Sequence, residues 1–259
     1  MNVDPQIAAS QTTTPHETPM PRALPVIEIF GPTIQGEGPQ AGRPAFFVRF
    51  GGCDYRCSWC DTMHAVDPVQ IREHAEHIKP HEIAGRLRAL GPGPRLVVLS
   101  GGNPALLDLA GLVDLLHQDG LEVAVETQGS VWRDWLSKVD QLVLSPKPPS
   151  SGMVSPTHAG QLARFIAELA DSRVHWDVKV AIFDEHDLDW AETLQAMVPG
   201  MPLFLTAGSD VGLREQETIR RLRDRYQWLC EAAACRPAFA DARVLVQLHV
   251  LAWGTIRGV

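Results

Sequence analysis

Basic charge is scarce in this sequence: 23 Lys and Arg stand against 31 Asp and Glu over 259 residues, a net charge of −8. Nucleic acid and anionic membrane surfaces reward a basic face, so neither is the expected partner, and a small molecule is. Long hydrophobic runs are also lacking. No apolar stretch approaches the ~20 residues that span a bilayer, and the N-terminus carries neither the basic nor the apolar block of a signal peptide. A cytoplasmic protein with no membrane contact is the expectation. Cysteine is sparse, five residues in all, and they do not read as a disulfide framework. Three of them, Cys53, Cys57 and Cys60, crowd into one short segment. In a reducing compartment such crowding points to metal binding or catalysis.

What is present is ample apolar material, 45% of the chain against 21% charged, enough for one sizeable core. Residues 1–24 are rich in Thr, Pro, Ser and Gln and poor in large apolar groups, so they are expected to form a disordered N-terminal tail. A single domain is expected over 25–259. Apolar, β-branched runs at 45–50, 95–100, 121–126, 141–144, 174–180, 203–206 and 243–248 read as strands. Between them, apolar spacings of three and four at 81–90, 106–118 and 213–230 read as helices. Strands that are apolar throughout, alternating with helices, imply an α/β fold with a mainly parallel sheet. About six or seven such units suggest an incomplete TIM-type barrel, with a doubly wound open sheet as the alternative. In either case the ligand site lies at the carboxyl ends of the strands, where Gly51, Ser100, Thr127 and Ser145 collect.

The segment Gly51-Gly52-Cys53-Asp54-Tyr55-Arg56-Cys57-Ser58-Trp59-Cys60-Asp61-Thr62 follows a strand and places three thiols in one loop. Three soft ligands so close together suit an iron-sulfur cluster or zinc. A structural zinc site takes a fourth ligand, and His64 is a candidate for it. The Cys-x3-Cys-x2-Cys spacing, with an aromatic residue before the last cysteine, closely resembles the signature of the radical S-adenosylmethionine superfamily. That resemblance implies a [4Fe-4S] cluster on Cys53, Cys57 and Cys60, with one iron left open to S-adenosylmethionine and reductive cleavage to a 5′-deoxyadenosyl radical. The cofactors then carry the difficult chemistry while the protein orients and shields it.

Further turns fit this picture. Ser100-Gly101-Gly102-Asn103-Pro104 reads either as a tight strand-to-helix turn or as a ligand-approaching backbone. It is similar to the superfamily's GGEP element, which implies a contact from Gly102 to S-adenosylmethionine. Asn103 stands where that element has an acid, and its own role is open. Glu126-Thr127-Gln128-Gly129 and Ser145-Pro146-Lys147 close two more strands. They resemble cofactor-contacting turns, which implies that Glu126, Ser145, Pro146 and Lys147 bind S-adenosylmethionine; as bare sequence they are also ordinary turn residues.

The flanks narrow the family. Glu28-Ile29-Phe30-Gly31-Pro32-Thr33-Ile34-Gln35-Gly36-Glu37-Gly38, then Gly42-Arg43-Pro44-Ala45-Phe46-Phe47-Val48-Arg49-Phe50, then the cysteine loop ending Cys60-Asp61-Thr62, resemble the 7-carboxy-7-deazaguanine synthases. The likeness extends over nearly the whole chain, with little that is diagnostic from 159 to 201. It implies conversion of 6-carboxy-5,6,7,8-tetrahydropterin to 7-carboxy-7-deazaguanine, an intermediate toward deazapurines such as queuosine, with loss of ammonia. Ile34, Gln35, Gly36 and Glu37 would face the flat pterin. Arg49 would take its carboxylate through paired, charge-assisted bonds. Thr62 would help hold Mg2+ in an oxygen shell. Trp59 and Asp61 would touch S-adenosylmethionine, Ser100 the substrate. Near the end, His249 and the terminal carboxylate of Val259 would reach the pterin. The family also implies a flavodoxin or ferredoxin reductant and a homodimer.

Cys230 and Cys235 read as ordinary thiols on a helix. His74, His77 and His81 fall at helical spacing among charges and are left unassigned, and Trp132, Trp135, Trp176 and Trp190 read as packing. Two rivals remain: a glycyl-radical activating enzyme, against which the QGEG element and Arg49 argue, and a non-catalytic iron-sulfur or zinc protein.

Overall fold

A computed structural model describes residues 22–259. Of the expected tail, positions 1–21 lie outside the described residues, while Leu24 already belongs to a strand and is buried. In chain order the elements are β1 (Leu24–Ile34), β2 (Pro44–Phe50), α1 (Pro68–His74), β3 (Glu76–Ile78), α2 (Pro80–Ala89), β4 (Leu96–Gly101), α3 (Ala110–Gln118), β5 (Glu122–Thr127), β6 (Gln141–Leu144), α4 (Pro156–Asp171), β7 (Trp176–Ile182), α5 (Glu185–Met197), β8 (Leu203–Ala207), α6 (Glu215–Ala234), β9 (Arg243–Val246) and α7 (Leu248–Trp253).

The nine strands make one sheet in the order β3-β1-β2-β4-β5-β6-β7-β8-β9. β1 runs antiparallel to both its neighbours. From β2 to β9 every pairing is parallel. Each parallel strand steps to the same side of the last, so right-handed crossovers put their helices on one face and the sheet curls around the other. A doubly wound sheet needs a reversal of strand order, and there is none here. Because β3 and β9 end the sheet without pairing to each other, the result is the expected incomplete barrel.

Local sequence explains the elements. β4, β6 and β8 are buried along almost their whole length, as parallel strands covered on both faces must be. Three helices start on side-chain caps: Asp67 accepts from the Val69 and Gln70 amides, Ser155 from His158, and Asp184 from Asp187, with Pro68 and Pro156 supplying the first helical residue of α1 and α4. Leu99, Val125, Leu142, Val180 and Leu205 on the strands pack against Leu112, Phe165, Leu188 and Leu222 of the helices in one core. Side chains on a strand alternate between faces. The opposite face begins with a small apolar layer of Ala45, Leu96, Val98 and Ala124, against which Phe47 packs.

Several elements depart from the sequence reading. β1 was not anticipated, because Gly31-Pro32 inside it reads as a turn and most of its side chains are only half-buried. Its register to β2 shifts between Val26 and Glu28 and again between Phe30 and Thr33, which lets it carry that interruption. α4 and α5 occupy the stretch that carried no diagnostic motif. The last strand ends at Val246 rather than 248, and His249 lies on the helix α7. Among the described residues no helix is long and apolar enough to cross a membrane.

Candidate active site

Beyond the apolar layer the helix-free face of the sheet turns polar. Register places Arg49 of β2 opposite Ser100 of β4. Glu126 of β5 follows Ala124 on the same face, and Lys179 of β7 and Thr206 of β8 occupy the positions that alternate with core residues of those strands. Arg49, Ser100 and Glu126 were expected here; Lys179 and Thr206 were not. The hydroxyls of Ser100 and Thr206 are buried without a protein partner. Buried polar atoms are nearly always satisfied, so both are poised for a ligand's groups.

The cysteine loop leaves β2 and is stitched to the turn after β4. Gly102 N–H donates to the Phe50 carbonyl at 3.1 Å and Asn103 N–H to that of Gly52 at 2.7 Å. A side chain on Gly101 would overlap the Phe50 carbonyl, and one on Gly102 that of Gly52. Gly101 also sits at φ 127°, where side-chain-bearing residues are strained. The two glycines thus have a backbone reason to be glycine, whatever else they touch. Gly101→Ala is expected to cost on the order of 3 kcal/mol, lowering the thermal midpoint by roughly 6–12 °C. A melt followed by circular dichroism checks this, and an unchanged midpoint refutes it.

The three thiols are half-buried and unpaired. Burial pushes the Cys57 thiol up to about 11 and that of Cys53 upward, with the neighbouring Cys60 sulfur adding to both and Lys147 opposing. Two buried thiols that resist ionisation beside a third need a cationic centre to become thiolates, and this fits an iron-sulfur cluster. Zinc loses its proposed fourth ligand: His64 is buried and directed at Glu28, with Nε2 3.0 Å from Oε1. Thr62 Oγ1 lies 3.6 Å from the Cys60 sulfur, and Asp61 is exposed beside it.

Around the loop is a dense polar frame. The Asn103 side chain is saturated: its N–H groups donate to Asp54 Oδ1 (3.1 Å) and Ser130 Oγ (2.9 Å), while its oxygen accepts from Thr127 Oγ1 (2.8 Å) and the Ala105 amide (3.2 Å). It therefore ties the ends of β4 and β5 to the cysteine loop, the role left open by sequence. Gln128 Nε2 donates to the same Asp54 oxygen at 2.6 Å and lies 3.7 Å from the Cys53 sulfur. The Trp59 indole N–H donates to Ser150 Oγ (3.0 Å), which donates to the buried Asp187 carboxylate (2.6 Å), and the ring stacks on Phe183. Lys147 donates to Ser145 Oγ (3.1 Å) and lies over the other side of the loop, 5.9 Å from the Trp59 ring centroid. Ser145 and Lys147 thus hold one another beside the cysteine loop.

The second half of the site is charged. Lys179 Nζ lies 2.6 Å from Glu37 Oε2 and 2.6 Å from Glu126 Oε1. Gln247 Nε2 donates to Glu37 Oε1 at 2.7 Å, and His249 Nε2 lies 3.9 Å from the same atom. Burial works against the Glu37 anion, but the Lys179 charge, His249 and the hydrogen bonds outweigh it and hold the carboxyl at about 2. For Lys179, burial is likewise outweighed by the two carboxylates, and its affinity for the proton rises. Gly36 lies so close to His249 that no side chain fits there, and its carbonyl accepts from the Leu248 amide at 3.1 Å. The turn after β1 and the C-terminal helix, more than 200 residues apart in sequence, are one structural unit.

Arg49 pairs with Glu28 (Nε to Oε2, 3.4 Å) and lies over the Phe30 ring at 5.8 Å. The His64 contact, opposed by burial and helped by Arg49, holds the Glu28 carboxyl below the usual carboxylate range. Gly258 passes beside Phe30, and Val259 shares a shallow surface depression with Pro32, Thr33, Ile34, Pro44 and Trp253. Ile34 and Val259 therefore line the same depression. Sequence reasoning missed Lys179 and Thr206 outright, and gave no individual role to Glu28, Gln128 or Gln247, which lie within its motifs. For Lys179 the available signal was a single charge within the apolar run Val178-Lys179-Val180 of a parallel strand.

Comparison with known proteins places these features. Residues 47–145 match the model of the radical SAM superfamily. Over 241 residues the chain is 42% identical to a 7-carboxy-7-deazaguanine synthase of Bacillus cereus, covering 91% of this chain and 99% of that one. It is 41% identical to the Bacillus subtilis protein of the same name, covering 93% and 100%. Among solved structures, QueE from Escherichia coli superposes with a TM-score of 0.64 at 22% identity, over 87% of this chain and 94% of that chain. SuiB from Streptococcus suis bound to S-adenosylmethionine gives 0.51 at 15% identity, over 77% and 49%, a likeness of fold alone.

Proposed function

The chain belongs to the family of 7-carboxy-7-deazaguanine synthases within the radical S-adenosylmethionine superfamily, and from that premise we propose the residue roles by which it turns 6-carboxy-5,6,7,8-tetrahydropterin into 7-carboxy-7-deazaguanine with loss of ammonia. Its cofactors are a [4Fe-4S] cluster and S-adenosylmethionine, which together supply a carbon radical able to remove hydrogen from the substrate. Cys53, Cys57 and Cys60 hold the cluster. Gly102, Glu126, Ser145, Pro146, Lys147, Trp59 and Asp61 form the wall that receives S-adenosylmethionine. The observation that carries this reading is that Arg49, Ser100, Glu126 and Lys179, the last paired with Glu37, project from the helix-free face of one partial barrel beside the cysteine loop.

Arg49 binds the pterin carboxylate; its guanidinium is pre-aimed by Glu28 and Phe30. Ser100 Oγ, buried without a protein partner beside it, completes that end. Glu37 stays ionised and accepts from the pterin's N–H groups, while Ile34, Gln35 and Gly36 lie against the ring. His249 and the Val259 carboxylate close the site, with the helix α7 as their carrier. Thr62 binds Mg2+ through its hydroxyl, and because one neutral oxygen is a weak site, the ion binds chiefly with the substrate carboxylate.

Residues 25–259 act as one domain. The five unpaired thiols suit a reducing, cytoplasmic setting, with a flavodoxin or ferredoxin as electron donor. The exposed Leu248, Leu251 and Ile256 suit a homodimer contact.

The test is anaerobic turnover of cluster-loaded, untagged protein with dithionite, S-adenosylmethionine, Mg2+ and 6-carboxytetrahydropterin, read by mass spectrometry. Formation of 7-carboxy-7-deazaguanine is expected, and turnover is expected to fall when EDTA replaces Mg2+. 5′-Deoxyadenosine without the deazapurine would refute the substrate. In the same assay, a few residues appended after Val259 are expected to raise the substrate KM by about tenfold, the worth of one charged hydrogen bond. An unchanged KM would remove Val259 from the site.

A further inference from the structure

We propose that Lys179 is the positioning residue that joins the two halves of this site, holding Glu37 on the pterin side and Glu126 on the S-adenosylmethionine side as one rigid pair of acceptors. The inference rests on the functional reading above. Its carriers come from three places in the fold: Lys179 from the middle of β7, Glu126 from the end of β5, and Glu37 from the turn after β1, 142 residues away from Lys179 in sequence. Both contacts are 2.6 Å long, and the Lys179 side chain is 7% exposed.

Stability does not account for such a triad. Burying charges costs more than apolar replacements of similar shape, which are often neutral or better, so a buried Glu–Lys–Glu set is weak evidence for stabilisation. Its charges also do not cancel. One ammonium between two carboxylates leaves one negative charge in excess, with the neutral Gln247 amide at 2.7 Å and the His249 ring at 3.9 Å as further partners of Glu37. An enclosed acceptor surplus suits a ligand rich in N–H and O–H donors, or one that carries positive charge. A pterin edge offers the former and a sulfonium the latter. Glu126 keeps its other oxygen out of any ion pair among the described residues, and its side chain is 28% exposed, so it remains open to a ligand. Lys179 itself is no base: its partners keep it protonated. Its ammonium has three donors, two of them committed, and what they fix is geometry.

The experiment uses cluster-loaded, untagged protein and the variants Lys179→Met, Lys179→Arg and Glu37→Gln/Lys179→Met. Four quantities are read on each: the dissociation constants of unreactive oxidised 6-carboxypterin and of S-adenosylmethionine without reductant, the ratio of 5′-deoxyadenosine to deazapurine in turnover, and the melting midpoint. Lys179→Met is expected to weaken both ligands by about tenfold or more and to raise the ratio above that of the parent; Lys179→Arg is expected to recover part of each. The double variant removes the more buried of the two carboxylate charges that Lys179→Met leaves unpaired, so it reports on binding even if Lys179→Met fails to fold, and it is expected to bind both ligands weakly. If Lys179→Met, or the double variant in its place, binds both within about twofold of the parent at the parental ratio, Lys179 is a structural spacer and the proposal is overturned. A parent protein that makes 5′-deoxyadenosine but binds no 6-carboxypterin overturns the substrate reading instead, and the proposal with it.

Discussion

Cys57→Ala is expected to abolish both 5′-deoxyadenosine and deazapurine formation. Loss of a residue that merely supports a metal ligand typically costs about 10–100-fold in affinity or activity, so loss of one of three ligands is expected to exceed about 100-fold. Cys57 lies in a loop and is only half-buried, and its backbone accepts from Cys60 N–H at 3.2 Å, a bond that alanine keeps. The fold is therefore expected to survive, with iron and sulfide content falling and the melting midpoint moving little. A variant that retains both a full cluster and parental turnover would remove the thiol loop from the chemistry and reopen the non-catalytic reading.

Arg49→Leu is expected to separate the two halves of the reaction. The guanidinium stands beside Glu28, Phe30 and Ser100 rather than beside the thiols, so cofactor cleavage can persist while substrate capture fails. Removing one partner of a partly buried charged contact costs about 2–5 kcal/mol, which corresponds to roughly 30- to several-thousandfold in kcat/KM for the deazapurine. Lysine at the position keeps the charge but loses the planar fork, and an intermediate loss is expected. The change also strips Glu28 of its guanidinium partner, leaving the His64 ring, so a melt must accompany the kinetics. Deazapurine formation within about threefold of the parent would sink the assignment.

These two predictions draw on residues that were legible in sequence, because each lies within a few positions of a motif. The cysteines share one loop, and Arg49 is the last residue but one of the strand before it, whose alternation shows which way it points. Much of the barrel was legible for the same reason: parallel strands in a covered sheet are apolar throughout, and β4, β5, β6, β7, β8 and β9 each stand out from their flanks. β1 did not stand out, since Gly31-Pro32 interrupts it and its side chains are half-exposed. The helices α4 and α5 did not either, because residues 159–201 carried no motif to mark them. The choice between an open barrel and a doubly wound sheet was likewise closed to composition; strand order decides it, and order is a property of pairings.

From its residues alone this protein was determined to be a parallel α/β chain with a three-thiol loop at a strand end, while the radical chemistry and the carboxylated pterin followed from the resemblance of its motifs to a family. Those properties are local: ligand spacing, periodicity and turn residues act over a few positions. What the tertiary structure decided is non-local. It turned Asn103 from an oddity into the tie between three loops, gave His64 to Glu28 instead of a metal, and brought Gly36 against His249. It also set Lys179 between two carboxylates that lie 142 and 53 positions before it in the chain. Electrostatic partners within a few ångströms settle what a buried charge does, and proximity of that kind exists only once the sheet has curled.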